Sequence, residues 1–225
     1  MAGAYAIQSR LDGHAGRRVG WKIAATGAGG RAALGVEHPL GGPLYERFED
    51  APGTAVDVSG FRMRTVEAEF GFRLAQDLPA ELAPFDRAAV LDALGAFLPA
   101  IEMPDTRYVD HRAVGGPQLV ADAACAGRFT LGTPVEDYDP ERLPGHAVTL
   151  TSEHKGVADG TGAKVLGDPV EAVRWLANEL ALHGRGLAAG DVVITGAAAA
   201  IRDPGAGWLV ADFGQLGMLE LALSE

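Results

Sequence analysis

The chain has 225 residues, 48% of them hydrophobic, and its 30 acidic and 19 basic residues give a formal net charge of −11. This length is enough for one large domain or two small ones with a substantial buried core. The acidic balance, without a cluster of lysine or arginine, argues against nucleic acid and anionic membranes as partners. No run of 18 or more apolar residues occurs in the sequence, so a membrane-spanning helix is not expected.

The predicted elements alternate with turns marked by scattered glycine and proline. Asp86 is a good N-cap for one helix, and Asp168, Pro169 and Glu171 give a second helix a cap, a first-turn proline and an acid in the first turn. In chain order we expect a helix at 4–12, a strand at 18–25, a loose Gly/Ala segment to Gly35, a loop at 40–53 and a strand at 65–76. Then follow a helix from Asp86 to about Phe97, a helix from Pro169 ended by Gly184, a strand at 191–196, and a β-like run at 208–223 with a turn near 214–217. Strands joined by irregular connections predict a β-rich α+β fold.

Two glutamates in the strand at 65–76 are the first candidate for a functional site. Residues 65–74 alternate strictly, which places Glu67 and Glu69 on one face with Cα atoms roughly 6.6 Å apart. A third carboxylate, Glu102, lies within the apolar run 96–104, where burial is costly unless a positive group compensates it. A divalent cation would remove both the burial cost and the mutual repulsion. The alternative interpretation is a solvated polar face of one strand plus an isolated acid.

Other site chemistries have weaker support in the sequence. No P-loop, H-E-x-x-H, C-x-x-C or G-x-S-x-G motif occurs, and the six histidines are dispersed. Structural zinc is therefore not expected, and an all-oxygen ligand set favours Mg²⁺ or Mn²⁺. The single cysteine, Cys125, is interpreted as a small buried hydrophobic residue, with a nucleophile as the alternative. One cysteine excludes an intramolecular disulfide, which suits a reducing cytoplasm.

Ten segments, taken in order along the chain, carry a resemblance to a known family. They are 4–8 (AYAIQ), 20–23 (GWKI), 34–36 (LGV), 66–70 (VEAEF), 98–102 (LPAIE), 105–107 (DTR), 165–169 (VLGDP), 175–178 (WLAN), 190–196 (GDVVITG) and 211–217 (ADFGQLG). The chain resembles the 2-oxopent-4-enoate hydratase and 4-oxalocrotonate decarboxylase group within the fumarylacetoacetate hydrolase superfamily. The resemblance depends on the order and coverage of these segments, since each of them is short.

The resemblance implies a mixed β-sandwich roll that binds Mg²⁺ or Mn²⁺ through Glu67, Glu69 and Glu102. The metal would chelate the 1-carboxylate and the 2-oxo group of a small 2-oxo acid and stabilise an enolate as a Lewis acid. Hydration of a 2-hydroxy-2,4-dienoate to a 4-hydroxy-2-oxo acid, in the breakdown of aromatic compounds, is the implied reaction. Decarboxylation of 2-oxo-3-hexenedioate is the first alternative, and cleavage of an acylpyruvate by a hydrolase is the second.

The resemblance also assigns roles to residues outside the metal site. Lys22 matches the active-site lysine, with an electrostatic or acid/base role; the alternative is a surface lysine. Leu34, Arg107 and Asp122 are candidates for substrate binding. Arg107 could hold a substrate carboxylate with two hydrogen bonds, or pair with the nearby Asp105 or Asp110 instead.

Three departures from the family pattern remove polar groups from the expected site. Leu40 stands where the family has an aspartate thought to assist proton transfer, and Glu37 is the candidate replacement. Ala123 stands in place of an asparagine, and Ala197 in place of a small polar residue. A catalytically weak member that serves as a partner subunit therefore remains an alternative.

Residues 1–225 are expected to form a single hydratase-like catalytic domain without the first N-terminal helical region of the family. The absence of a signal-peptide pattern at the start predicts a cytoplasmic location. The expected partners are a small 2-oxo acid substrate and further copies of the chain, with a pathway enzyme as a third candidate.

Overall fold

The computed structural model describes all 225 residues, which form five α-helices, twelve β-strands and short 3-10 turns. The helices are α1 (Ala2–Gln8), α2 (Ala28–Leu34), α3 (Arg87–Ala93), α4 (Gly116–Ala121) and α5 (Pro169–Ala181). The strands are β1 (Arg18–Ala24), β2 (Leu40–Tyr45), β3 (Glu49–Asp50), β4 (Ala55–Asp57), β5 (Thr65–Leu74), β6 (Leu94–Met103), β7 (Arg128–Leu131), β8 (Ala147–Ser152), β9 (Gly156–Thr161), β10 (Val192–Arg202), β11 (Gly207–Asp212) and β12 (Met218–Ser224). The predicted α+β class is confirmed.

The strands form two mixed sheets. The larger has the order β2-β1-β10-β5-β6-β7-β3, and the smaller has the order β4-β12-β11-β8-β9. Most neighbours are antiparallel, but β1 runs parallel to β10, β3 to β7 and β4 to β12. Because β10 lies between β1 and β5, residues far apart in the sequence meet at the centre of the larger sheet.

The main core lies between the two sheets. Phe70 of β5 and Phe97 of β6 meet edge to face with ring centroids 5.8 Å apart, and Phe213, which follows β11, contacts both rings. Leu150 and Leu209 of the smaller sheet belong to the same buried cluster. Facing sheets with interdigitating inner side chains are the arrangement of a β-sandwich.

The larger sheet is also covered on its other face. A second apolar cluster there includes Leu98, Ala100 and Ile194, which are the cross-strand neighbours of Gly71 and Glu69 in β5. Strict alternation in β5 therefore does not separate a buried face from a wet one, because both faces are enclosed. The polar residues of β5 lie on this second face.

The longest helix, α5, begins and continues as its sequence predicts. Asp168 accepts a hydrogen bond from the Val170 backbone N–H at 2.8 Å, and Gly184 adopts a φ of 68° beyond the helix end. Val170, Val173 and Leu180 are among its buried residues, at the spacing of one helix face. Asp86 likewise caps α3, accepting from Ala89 N at 2.9 Å.

The expected loose Gly/Ala segment before Gly35 is wrong, because residues 28–34 form α2. Arg31 Nη1 donates to the Thr26 carbonyl at 2.8 Å, Leu34 is buried, and Gly35 ends the helix with a φ of 65°. These tertiary contacts outweigh the low helix propensity of the paired glycines Gly29 and Gly30.

The expected loop at 40–53 is also wrong, since Leu40–Tyr45 is the strand β2, buried along its whole length. It lies at the edge of the larger sheet, where Pro43 costs no essential ladder hydrogen bond. The predicted helix to Phe97 ends at Ala93, and the chain continues directly as β6. Gly95 and the apolar run 96–101 favour the strand because both faces of the sheet are buried there.

Candidate metal and substrate site

Three glutamates meet on the second face of the larger sheet. Glu67 and Glu69 lie two residues apart on β5, and Glu102 of β6 is directly opposite Glu67 in the antiparallel register. One carboxylate oxygen from each residue lies within 4.8 Å of the others. Glu69 and Glu102 have no exposed surface, whereas Glu67 is half-buried. The predicted ligand set is therefore brought together, by strand register alone.

The buried carboxylates are only partly satisfied by hydrogen bonds. The Gly196 backbone N–H donates to Glu69 Oε2 at 2.7 Å, from a segment of β10 where the register with β5 shifts. Lys22 Nζ lies 3.0 Å from Glu102 Oε2 and forms a buried ion pair with it. Glu69 Oε1 and Glu102 Oε1 are buried and have no hydrogen-bond partner. Such orphaned anionic oxygens are costly unless a cation binds them.

The electrostatics of the cluster show the same deficit of positive charge. Burial and the neighbouring Glu102 raise the pKa of Glu67 to about 7, against the pull of Lys22. Burial and the same neighbour raise the pKa of Glu69 well above its usual value. Burial also raises the pKa of Glu102, although Lys22 opposes the shift. Carboxyl groups that resist ionisation together are stabilised in their charged form by a bound metal.

The residues present fit a divalent cation. Three ionised carboxylates and one ammonium group leave two uncompensated negative charges, which one divalent ion would neutralise. The donor atoms are all carboxylate oxygens, the ligands that Mg²⁺ and Mn²⁺ prefer. No histidine or cysteine belongs to the group of potential ligands.

Lys22 is held in place by an unusual segment of backbone. Its Nζ donates to the Ala124 carbonyl at 3.4 Å in addition to pairing with Glu102. Ala123, Ala124 and Cys125 form a turn with three consecutive left-handed φ values of 57°, 51° and 62°. Non-glycine residues rarely adopt this conformation, so the turn is strained and must be supported by its surroundings.

Gly42 of β2 is one of those supports. A Cβ atom at this position would meet the Ala123 carbonyl oxygen at 2.0 Å, so only glycine lets β2 approach the turn this closely. The close contact connects the edge strand to the turn, and the turn to Lys22.

A cavity of about 250 Å³ opens beside the glutamates. Its inner wall includes Lys22, Glu67, Cys125 and the small residues Ala197 and Ala200 of β10. Its other lining residues come from the β1–α2 segment, from the start of β5, from the loop after β6 and from the end of β10: Ile23, Ala24, Ala25, Thr26, Gly27, Gly29, Gly30, Ala33, Leu34, Met63, Thr65, Pro104, His111, Arg112 and Arg202. A pocket of this size suits a small molecule.

The structure brings some of the predicted catalytic and substrate residues to this cavity and leaves others outside. Lys22 and Leu34 line it. Glu37 is exposed and is not among the lining residues, so its predicted catalytic role has no support from the geometry. Arg107 and Asp122 line a second cavity of about 300 Å³.

Arg107 forms an ion pair with Asp122, rather than with Asp105 or Asp110. Asp122 also accepts a hydrogen bond from Thr106 Oγ1 at 2.6 Å. The predicted contact of Arg107 with a substrate at the glutamates is therefore not supported, because its guanidinium is already paired and faces another cavity. Asp105, by contrast, accepts from the Arg62 backbone N–H at 2.8 Å.

Three residues at the cavity were missed by the sequence reasoning: His111, Arg112 and Arg202. Arg202 ends β10, and the other two lie in the irregular segment between β6 and α4. No motif marks them: the position of Arg202 follows from the pairing of β10 with β5, and His111 and Arg112 lie in a segment without regular structure. Cys125 is buried as predicted, and burial raises the pKa of its thiol to about 12.

The three departures from the family pattern lie in different places. Leu40 is buried and does not line the glutamate cavity, so no acid takes the place of the missing aspartate there. Ala123 is the first residue of the left-handed turn. Ala197 lines the cavity and faces Glu69 across the strands.

A family profile described as fumarylacetoacetate (FAA) hydrolase C-terminal matches residues 48–217. The chain belongs to this family. It is 35% identical over 203 residues to a 2-keto-4-pentenoate hydratase of Paraburkholderia xenovorans (strain LB400), covering 86% of this chain and 72% of the relative. It is 31% identical over 190 residues to a 4-oxalocrotonate decarboxylase of Pseudomonas sp. (strain CF600), covering 84% of this chain and 71% of that relative.

A solved member of the family has the same architecture. The 4-oxalocrotonate decarboxylase from Pseudomonas putida G7, complexed with magnesium and adipate, superposes with a TM-score of 0.86 at 28% identity, covering 99% of this chain and 86% of that one. The predicted family and fold type are therefore confirmed. None of the helices combines the length and apolar character needed to cross a membrane.

Proposed function

We propose that this family member is a divalent-metal-dependent hydratase. It adds water to a 2-hydroxy-2,4-dienoate of the 2-oxopent-4-enoate type and yields a 4-hydroxy-2-oxo acid. The observation that carries the proposal is the group of three carboxylates beside an ion-paired lysine at the inner end of a small cavity. Relatives named 2-keto-4-pentenoate hydratase support it.

Glu67, Glu69 and Glu102 would hold the metal, and Mg²⁺ or Mn²⁺ suits their oxygen donors. The magnesium complex of the solved decarboxylase supports the choice of Mg²⁺. When bound, the ion supplies Lewis-acid stabilisation of negative charge on the 1-carboxylate and 2-oxo oxygens of the substrate. Ala197 and Ala200, which line the wall next to these carboxylates, leave room for the carbon chain.

Lys22 serves this reaction as a cationic hydrogen-bond donor. Burial alone would lower its pKa, but the carboxylates of Glu102, Glu69 and Glu67 outweigh burial and raise it. These carboxylates therefore favour the protonated ammonium form of Lys22. It can donate to an oxygen that becomes negative in the transition state.

The proton balance of hydration defines what else the cavity must do. The enol hydroxyl of the dienol loses its proton and carbon 5 gains one; water then gives its hydroxyl to carbon 4 while carbon 3 gains a proton. His111 lines the cavity, and burial together with Arg112 lowers its pKa, which favours the neutral imidazole. A neutral imidazole can pass protons between the cavity and solvent.

The test is turnover of 2-hydroxypenta-2,4-dienoate by the purified protein with added Mn²⁺ or Mg²⁺, followed as loss of the diene absorbance. We expect metal-dependent loss that a chelator stops, with a 4-hydroxy-2-oxo acid as the product. No metal-dependent turnover of this dienoate, of 2-oxo-3-hexenedioate or of an acylpyruvate would refute an enzymatic role and favour a partner subunit.

Decarboxylation of 2-oxo-3-hexenedioate is the second candidate. The solved decarboxylase aligned over 99% of this chain supports it. The same metal site would serve both reactions, because each passes through negative charge on the 2-oxo group. Release of CO₂ from the hexenedioate separates this candidate from the hydratase.

The proposal includes a cytoplasmic homo-oligomer, with a pathway enzyme as a further candidate partner. The single buried cysteine suits a reducing compartment, and the exposed apolar side chains Ile7 and Leu182 suit contacts between copies. Size-exclusion chromatography with light scattering measures the molar mass in solution, and we expect the mass of at least two chains.

A further inference from the structure

The cavity wall carries two threonine hydroxyl groups, and one of them has no partner. Thr65 Oγ1 donates to the Met63 carbonyl at 3.0 Å. Thr26 lines the same cavity and is only 3% exposed. Its hydroxyl makes no hydrogen bond to another group of the protein, yet it is not among the fully enclosed polar atoms, so it faces the cavity. A buried hydroxyl group left free in this way is available to a ligand.

Gly196 of β10 fixes the position of this hydroxyl group. A Cβ atom on Gly196 would lie 2.1 Å from Thr26 Oγ1, so the hydroxyl packs directly against the glycine backbone. The Gly196 N–H donates to Glu69, and the next residue, Ala197, lines the cavity. The Thr26 hydroxyl therefore lies near the buried carboxylates, beside the wall formed by Ala197 and Ala200.

The backbone before Thr26 is held in a strained conformation. Ala25 has a left-handed φ of 60°, which is costly for a residue other than glycine. Arg31 of α2 supports this segment, because its Nη1 donates to the Thr26 carbonyl at 2.8 Å and to the Ala25 carbonyl at 3.3 Å. Gly30 lets α2 come close, since a Cβ atom there would meet Ala25 Cα at 3.2 Å. Strained backbone that its surroundings hold in place is typical of ligand-binding sites.

We propose that Thr26 holds the water molecule that adds to carbon 4 of the substrate, and then the hydroxyl group that this water becomes. This inference rests on the proposed function, in which the metal and Lys22 serve the charged oxygens of the 1-carboxylate and the 2-oxo group. The oxygen at carbon 4 is neutral in water and in the product, and it both donates and accepts hydrogen bonds. The neutral hydroxyl of Thr26 matches it, because a threonine hydroxyl can do both as well.

The neighbouring side chains leave this task to Thr26. Ala197 and Ala200, which lie along the carbon chain of the proposed substrate, have no polar group. Lys22 is paired with Glu102, and the Thr65 hydroxyl is bonded to Met63. A threonine hydroxyl is too weak a base to deprotonate water, so its contribution is to orient the water towards carbon 4.

Two acids that differ only at carbon 4 test the inference by binding. 4-Hydroxy-2-oxopentanoate, the product of the proposed reaction, has the hydroxyl group there, and 2-oxopentanoate lacks it. Isothermal titration calorimetry on the Mg²⁺-loaded protein measures both affinities. Thr26→Val removes the hydroxyl and keeps the branched shape, so we expect it to weaken binding of the hydroxy acid about three- to tenfold. The affinity for 2-oxopentanoate should not change.

Thr26→Ser and Thr65→Val are the matched controls. The serine retains a hydroxyl group and should keep the wild-type preference for the hydroxy acid. Thr65→Val removes the other hydroxyl of the cavity, which is already bonded to Met63, and should leave the ratio of the two affinities unchanged. Thr26→Ala repeats the loss of the hydroxyl if circular dichroism shows that the valine variant does not fold.

Turnover of the dienoate gives a second readout. The substrate has no oxygen at carbon 4 before water adds, so Thr26→Val should lower kcat about tenfold and leave KM nearly unchanged. A purely structural role of Thr26 would instead weaken the binding of every ligand of the cavity and raise KM.

Two results would overturn the inference while metal-dependent turnover by the wild-type protein stays intact. One is an equal loss of affinity for both acids in Thr26→Val, and the other is no loss for either acid. If neither acid binds to the wild-type protein although Mg²⁺ does, the proposed function fails as well.

Discussion

The two ends of the cavity are built differently. At the inner end Glu67 lines the cavity, and the fully buried Glu69 and Glu102 lie beside it on the same two central strands of the seven-stranded sheet. At the outer end Arg112 and Arg202 lie on a connecting segment and at a strand end, and both are exposed. The spacing of the inner glutamates is fixed by the pairing of the strands, whereas the outer arginines are held by less regular backbone.

Under the proposed function, this difference separates the residues that would hold the metal from those at the cavity mouth. A chelating group built on strand register holds its donors at fixed spacing, as transition-state stabilisation requires. Exposed side chains at a mouth can be replaced at little cost in stability. We therefore expect substitutions at the inner end to have much larger effects than substitutions at the mouth.

The largest effect should follow Glu69→Gln, which removes one ligand charge from the inner end. We expect Mg²⁺ affinity to fall at least about 100-fold, because even residues that only support ligands change affinity 10–100-fold. Calorimetry measures the affinity, and circular dichroism should show an unchanged fold. Mg²⁺ at 100 times Kd should raise the Tm of the wild-type protein by about 5–10 °C. The same Mg²⁺ concentration should leave the Tm of Glu69→Gln unchanged.

Glu220→Gln is the control for this variant, since Glu220 is exposed on β12 of the other sheet and makes the same change of charge. It should bind Mg²⁺ like the wild-type protein. Unchanged Mg²⁺ affinity in Glu69→Gln would refute the ligand assignment.

Lys22→Met tests whether turnover and Mg²⁺ binding at the inner end depend on different residues. Turnover should fall by about 100-fold or more, because the donor to the developing negative charge is lost. Mg²⁺ affinity should not fall, since removal of the ammonium group leaves Glu102 with one more uncompensated charge. Steady-state kinetics at saturating metal, with calorimetry alongside, separates these outcomes.

Lys155→Met is the matched control, because Lys155 is exposed and outside the cavity. A Lys22→Met protein that keeps normal turnover would show that the lysine is a structural partner of Glu102 only.

Gly42→Ala tests whether the close contact between β2 and the left-handed turn is needed to hold Lys22 in place. The new Cβ would meet the Ala123 carbonyl at 2.0 Å, so β2 or the left-handed turn must move. We expect the free energy of unfolding to fall by about 2 kcal/mol in urea titration, together with reduced turnover. Gly145→Ala, where a Cβ atom has nothing within 4 Å, should change the free energy by less than about 0.5 kcal/mol. Equal stability of the two variants would contradict a support role.

The sequence predicted which residues meet at the inner end of the cavity but not which residues lie at its outer end, for a physical reason. Alternation placed Glu67 and Glu69 on one face, and the order of the family segments identified Glu102 and Lys22. Arg202 gave no signal, because its proximity to Glu67 depends on how β10 pairs with β5 after two shifts of register. Arg107 was a candidate for substrate binding, but its guanidinium pairs with Asp122.

The errors in secondary structure have a related cause. Residues 40–45 contain two glycines and a proline, which locally indicate a loop, yet they form a buried edge strand. Gly42 is there because the neighbouring turn comes so close, a requirement that local propensity does not reveal. Helices with side-chain caps, such as α5, were predicted correctly because the signals that begin and end them lie within the helix sequence itself.

The unbalanced charge of the three glutamates has a consequence for the protein in the cell. A cation that binds only the folded chain stabilises it, and a change of 1–2 kcal/mol in stability alters protein abundance several-fold. Copies that lack the ion keep buried, mutually repelling carboxylates and open more often to proteases. We therefore expect the supply of divalent metal to set how long each copy survives as well as whether it works.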